Sequence, residues 1–156
     1  MSPTDSDEQL RALLSSTHTI AVIGIKDGAS DDAFRVPLYL KRAGYEIIPV
    51  NPKLETVLDQ ACHASLADVE KPVDLVNLFR ASEHVPGHVD EILALDPRPK
   101  VVWMQLGIHH GEAAQRLREG GIEVVQDRCI MVDHRRLLGE GSRAASAARE
   151  PLEERA

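Results

Sequence analysis

His18-Thr-Ile-Ala-Val-Ile-Gly24-Ile-Lys26-Asp-Gly28 is the stretch that decides the fold. An apolar, β-branched run enters a glycine turn, and a helix-like segment follows. In this order the glycine lets the backbone approach a ligand, and the next helix offers free N–H groups to an anion. The spacing G-x-x-x-G is looser than the dinucleotide fingerprint G-x-G-x-x-G. The same residues therefore also suit a strand-to-helix turn that binds nothing.

Upstream, Ser6 to Leu14 reads as a short amphipathic helix with Leu10, Leu13 and Leu14 on one face. The first strand spans about His18–Ile23. A helix follows from Phe34–Val36 to Ala43, stopped by Gly44, with Asp31-Asp32 left in the turn and Pro37 in the first helical turn. Tyr45–Val50 is a second strand ending in the turn Asn51-Pro52-Lys53. Residues 54–71 are irregular, and Ser65-Leu-Ala-Asp68 resembles an N-capped helical turn. Val73–Phe79, Lys100–Met104 and Ile122–Val125 are three further strands. Helices are expected at Val85–Leu95, Glu112–Glu119 and Ile130–Leu138. The alternation predicts an α/β, Rossmann-like doubly wound parallel sheet of about five strands in a single domain. Residues 1–16 form an N-terminal extension, 17–138 the domain, and 139–156 a weakly ordered tail.

Composition narrows the function classes. The chain has 156 residues, 43% apolar and 28% charged, as in an ordinary globular domain. No apolar run approaches the ~20 residues that span a bilayer. The acidic start lacks the basic and apolar regions of a signal peptide, so a cytoplasmic location is expected. A net charge of −7 argues against general nucleic-acid or membrane-surface binding. Cys62 and Cys129 give no disulfide framework, and His109-His110 reads as a loop or helix start rather than a metal site.

In a parallel sheet the strand ends converge on one rim, where ligands gather. Lys26, Lys53, Arg80 and Arg128 put cations at four of the five ends of an acidic protein. A nicotinamide or flavin dinucleotide would call for Asp or Glu at the end of the second strand. Asn51-Pro52-Lys53 stands there instead, and a cation at that place favours a ligand with phosphate on its ribose. Coenzyme A has a ribose 3′-phosphate and a pyrophosphate; a 2′-phosphorylated dinucleotide fits on charge alone.

Val22-Ile-Gly24-Ile, Arg35-Val, Tyr39-Leu, Gly44-Tyr-Glu-Ile-Ile-Pro-Val-Asn-Pro52, Ser65-Leu-Ala-Asp68, Val73-Asp-Leu-Val, Phe79-Arg80, Val101-Val-Trp-Met-Gln-Leu-Gly107 and Asp127-Arg-Cys129 form an ordered set. Together they resemble the small bacterial CoA-binding proteins of the YccU type, similar to the CoA-binding domain of the succinyl-CoA synthetase α subunit. The resemblance covers about residues 15 to 138. It implies that the Gly24–Gly28 turn lies against the coenzyme phosphates, that Lys53 pairs with phosphate, and that Trp103-Met104-Gln105 lines the adenosine or pantetheine path. Where members often carry an Arg-Pro-Ser-Tyr-like run, this chain has Asp31-Asp32-Ala33-Phe34. The synthetase's phosphorylated histidine belongs to a further domain and has no counterpart here.

The residues expected to meet coenzyme A are thus Gly24, Ile25, Lys26, Gly28 and Arg35 around the first turn, and Asn51, Pro52 and Lys53 after the second strand. Phe79 and Arg80 follow the third strand, Met104, Gln105 and Gly107 the fourth, and Arg128 the fifth. Arg80 either binds phosphate or pairs with Glu83 or Asp127. Asp127 orients Arg128 or caps the last helix. Trp103 is a core residue on the simpler reading. Cys129 beside Arg128 could form a mixed disulfide with the coenzyme thiol, but apolar packing is the favoured reading. Cys62-His63 lacks the third group that a nucleophilic dyad needs. No base, nucleophile and oxyanion set emerges, so a carrier, sensor or regulatory module for coenzyme A or acyl-CoA is preferred to an enzyme. The alternatives are an NAD(P)-binding oxidoreductase or redox-sensing module, and an assembly protein whose rim is vestigial. A protein partner or a second copy is left open.

Overall fold

Strand residues alternate between two faces, and this period of two divides the core into two layers. In the computed structural model, residues 6–139 are described. Five parallel strands form the main sheet: β1 (Thr19–Ile23), β2 (Glu46–Val50), β5 (Leu75–Leu78), β6 (Val101–Met104) and β7 (Glu123–Val125). Their spatial order is β2-β1-β5-β6-β7. Ile20, Val22, Ile47, Leu75, Val101, Trp103 and Val125 face one side. They pack there against α1 (Asp7–Ser16), α2 (Asp32–Arg42) and α5 (Ile130–Leu138). Ala21, Ile23, Ile48, Val50, Val76, Leu78, Val102, Met104 and Val124 face the other side, under α3 (Pro86–Leu93) and α4 (Gly111–Glu119). The expected doubly wound α/β fold is the observed one.

Pro49 is tolerated because β2 is an edge strand. Glu46 N–H donates to His18 O, so alternate residues from Glu46 point towards β1 and Pro49 points outward. Trp103 is fully buried, and its indole N–H donates to Arg128 O at 2.8 Å. The core reading of this residue holds.

Three local expectations need correction. Helix α2 begins at Asp32, with Asp31 as N-cap accepting from Ala33 N–H at 3.0 Å. Pro37 therefore lies inside the helix and not in its first turn. The carbonyl it cannot serve, that of Ala33, receives the Lys26 N–H from the preceding loop. Residues 54–71 contain a hairpin of β3 (Thr56–Val57) and β4 (Gln60–Ala61). Its central residues Leu58 and Asp59 both have positive φ, 55° and 64°, the pattern of a type I′ turn without the usual Asn-Gly. Burial of the Leu58 side chain and a hydrogen bond from Lys41 Nζ to Leu58 O at 2.7 Å offset that backbone cost. Ser65 does precede a 3-10 turn at Leu66–Asp68, but its side chain makes no capping bond to the backbone.

The N-terminal helix packs on α5, with Leu10 and Leu14 in the core and Asp7 paired to Arg136 at 2.9 Å. The expected tail beyond residue 139 lies outside the described residues.

Candidate functional site

β1 pairs with β2 on one side and β5 on the other, so the strand order reverses between β1 and β5; in open α/β sheets ligands gather at the strand carboxyl ends beside such a switch point. Three segments meet there: Gly24–Gly28 after β1, Asn51-Pro52-Lys53 after β2, and Phe79-Arg80 after β5. Gly24 N–H donates to Val50 O at 3.0 Å, tying the turn to β2. Its φ is +88°, and an added Cβ would stand 2.4 Å from Phe79 O. The space freed at Gly24 is therefore taken by the backbone just beyond β5. Gly28, with no atom within 4 Å of such a Cβ, is the open glycine of the loop.

Asn51 holds the turn together from the β2 side. Its Nδ2 donates to Ile25 O at 2.7 Å, and its Oδ1 accepts from Lys53 N–H at 2.8 Å. The residue that stands where a dinucleotide site has its acid is thus a staple between two loops. Ile25 itself is buried in the core, so only its backbone lies on the rim. Among the described residues, the N–H groups of Ile25, Asp27, Gly28, Ala29, Ser30 and Asp32 have no hydrogen-bond partner within the chain. This run of donors precedes and enters α2, where the helix dipole favours an anion.

The cations separate into two groups. Lys26 Nζ lies 3.9 Å from Asp31, Arg35 pairs with Asp32, and Arg128 is held by Asp133 through bonds of 2.6 and 3.1 Å. Lys53 and Arg80 are exposed and have no carboxylate partner among the described residues. They lie in the loops that follow the two strands flanking β1, on either side of the Gly24 turn. Neither expected carboxylate, Glu83 or Asp127, pairs with Arg80. Its Nε donates instead to His88 Nε2 at 3.4 Å.

The β6 and β7 ends close on themselves. Asp127, at φ 57°, accepts from Gly107 N–H at 2.6 Å, and its own N–H donates to Ile108 O at 3.0 Å. It neither orients Arg128 nor caps α5, whose N-cap is Cys129. Gln126 Oε1 accepts from His110 N–H, and His110 Nδ1 in turn caps α4 by accepting from Ala113 N–H at 3.1 Å. The pair His109-His110 is a helix start. Met104 is fully buried, and Gln105 Oε1 accepts from Asn77 Nδ2 and Ile130 N–H. Trp103, Met104 and Gln105 thus keep their side chains inside, and this segment offers a ligand its backbone alone.

Cys62 Sγ faces the carbonyls of Asn51 at 3.6 Å and His63 at 3.9 Å, not an imidazole nitrogen. Burial pushes its thiol above the ordinary value, which disfavours the nucleophilic thiolate. Cys129 is half-buried against the core. Among the described residues no group of three metal-ligating side chains occurs, and no helix is long and apolar enough to cross a membrane. Sequence reading passed over His88 and Glu91. Their i, i+3 spacing on a predicted helix was a visible signal of pairing, but the contact with Arg80 exists only in the folded chain.

Comparison with known proteins identifies relatives of this chain. The family model described as a CoA binding domain matches residues 18–135. YneT of Bacillus subtilis (strain 168), an uncharacterized protein, is 39% identical over 129 residues, 83% of this chain and 94% of YneT. The structure of cell-free ID.343 from Thermus thermophilus superposes with a TM-score of 0.80 at 44% identity, covering 84% of this chain and 98% of that one. A hypothetical protein from Pyrococcus horikoshii OT3 gives 0.81 at 35% identity, covering 86% and 93%. On the matched residues 18–135, this chain belongs to the CoA-binding domain family.

Proposed function

We propose that the protein binds coenzyme A or an acyl-CoA in the crevice between the β1, β2 and β5 ends, and acts as a carrier, sensor or regulatory module. The observation that carries this reading is the pair of uncompensated cations, Lys53 and Arg80, on either side of the Gly24 turn. The other expected rim cations, Lys26, Arg35 and Arg128, already have a carboxylate. Two separated phosphate groups suit two separated cations, and the unpartnered loop N–H groups between them suit a phosphate oxygen. Lys53 lies two residues beyond Asn51, the position where an acid would select an unmodified ribose, so it is assigned to the ribose phosphate. Membership of the CoA-binding family supports the same ligand. The raised Cys62 thiol, which faces the Asn51 and His63 carbonyls and not the His63 imidazole, favours binding without covalent chemistry.

Calorimetric titration with CoA, dephospho-CoA, NAD and NADP tests the reading. CoA is expected to bind tightest, dephospho-CoA about tenfold more weakly, and NAD weakest. Lys53→Met should abolish the difference between CoA and dephospho-CoA. Binding of NAD or NADP as tight as that of CoA, or no heat with CoA, would overturn it.

A further inference from the structure

We infer that His88, clamped by Glu91, is a positioning residue that holds the Arg80 guanidinium beside the Gly24 turn for a phosphate of the ligand. This rests on the coenzyme reading and adds two residues to it.

The hydrogen bonds fix the chemistry of the chain. Arginine Nε–H is always a donor, so the His88 Nε2 that it meets at 3.4 Å must be a bare acceptor. The imidazole proton then sits on Nδ1, which donates to Glu91 Oε2 at 2.5 Å. The other carboxylate oxygen, Glu91 Oε1, accepts from Leu66 N–H at 3.3 Å. Each group is thus held by the next, from the rim to the turn before β5. The His88 and Glu91 side chains are only 19% and 25% exposed, which limits their freedom to rotate away.

The arrangement orients Arg80 without neutralising it. A carboxylate directly on the guanidinium would cancel the charge that a phosphate needs. An imidazole in between passes on the direction of the hydrogen bond and keeps Glu91 one ring away. Only Nε of Arg80 is used. Its two terminal nitrogens have no partner among the described residues, so the outer fork faces solvent, ready for a bidentate phosphate contact. Its Cδ lies 3.3 Å from where a Cβ of Gly24 would stand, which places the side chain against the glycine turn. Arg35 and Arg128, by contrast, lie directly on Asp32 and Asp133.

Two measurements on the full chain decide this. Imidazole nitrogen-15 shifts of the ligand-free protein at neutral pH should show His88 protonated at Nδ1 and bare at Nε2. CoA affinity should fall about five- to tenfold in His88→Leu and return to within about twofold in His88→Gln, whose amide can both accept from Arg80 and donate to Glu91. In an Arg80→Met background, His88→Leu should cause no further loss. An equal loss with and without Arg80, or a proton on Nε2, would overturn the assignment. Failure of the wild-type protein to bind CoA would overturn the coenzyme reading and the ligand role with it, while the tautomer measurement would still decide whether the tether exists.

Discussion

The backbone N–H of Lys26 donates to the carbonyl of Ala33 across 3.2 Å, and Ala33 is the residue whose carbonyl Pro37 has no N–H to reach. A proline inside a helix leaves the acceptor four residues back unserved. Here that acceptor anchors the loop that carries the candidate phosphate donors. A local defect of α2 thus becomes the fastening of the Gly24–Gly28 turn.

Pro37→Ala supplies a competing N–H from within the helix. Removing an interior proline is worth up to ~3 kcal/mol, and loss of the Lys26 bond returns ~1 kcal/mol of it. Urea unfolding should show a gain of about 1–2 kcal/mol, while hydrogen exchange shows the Lys26 amide losing protection. Unchanged protection at Lys26 would refute the link.

The two glycines of the loop should respond differently to a methyl group. Gly24→Ala forces a Cβ to within 2.4 Å of Phe79 O at a φ of +88°. It should cost about 2–4 kcal/mol in denaturant unfolding. Gly28→Ala meets nothing within 4 Å and should stay within about 0.5 kcal/mol of wild type.

Asp31 occupies the place at the α2 N-terminus where a ligand's anion would benefit from the helix dipole. Serine caps as well as aspartate but carries no charge. Asp31→Ser should therefore leave thermal stability within about 0.5 kcal/mol and tighten CoA binding about three- to tenfold in calorimetry. Weaker binding would show that Asp31 serves the ligand directly or through Lys26.

Burial raises the Cys62 thiol. The folded chain therefore keeps this proton at a pH where the unfolded chain has lost it. The associated stability is fully present below the unfolded thiol's value, about 8.5, and is lost as pH rises through the higher folded value. Unfolding free energy should decline more steeply between about pH 8 and 10 in wild type than in Cys62→Ala. Parallel curves would contradict the shift.

The sheet was legible because each strand is a short apolar run bounded by Gly, Pro or Asn, and α5 was placed on its observed residues, Ile130–Leu138. The β3–β4 hairpin was not legible, since Leu58 and Asp59 are not the residues that a positive-φ turn announces. Charge at the rim could be read, but its division could not. Asp31, Asp32 and Asp133 quench Lys26, Arg35 and Arg128 through contacts that depend on side-chain placement. The sequence shows that Asn51 stands where an acid would be, whereas its role as a staple to Ile25 depends on the path of the loop. Met104 and Gln105 ended a strand in the sequence, yet period two and the buried Asn77 turn them inward.

Amide shift mapping by NMR during a CoA titration tests the location of binding most directly. The largest changes are expected at Gly24–Asp32, Asn51–Lys53 and Phe79–Ala81, with Gly107 and Asp127 little affected. Changes centred on the β6 and β7 ends, or none at saturating coenzyme, would contradict a site built around the Gly24 turn.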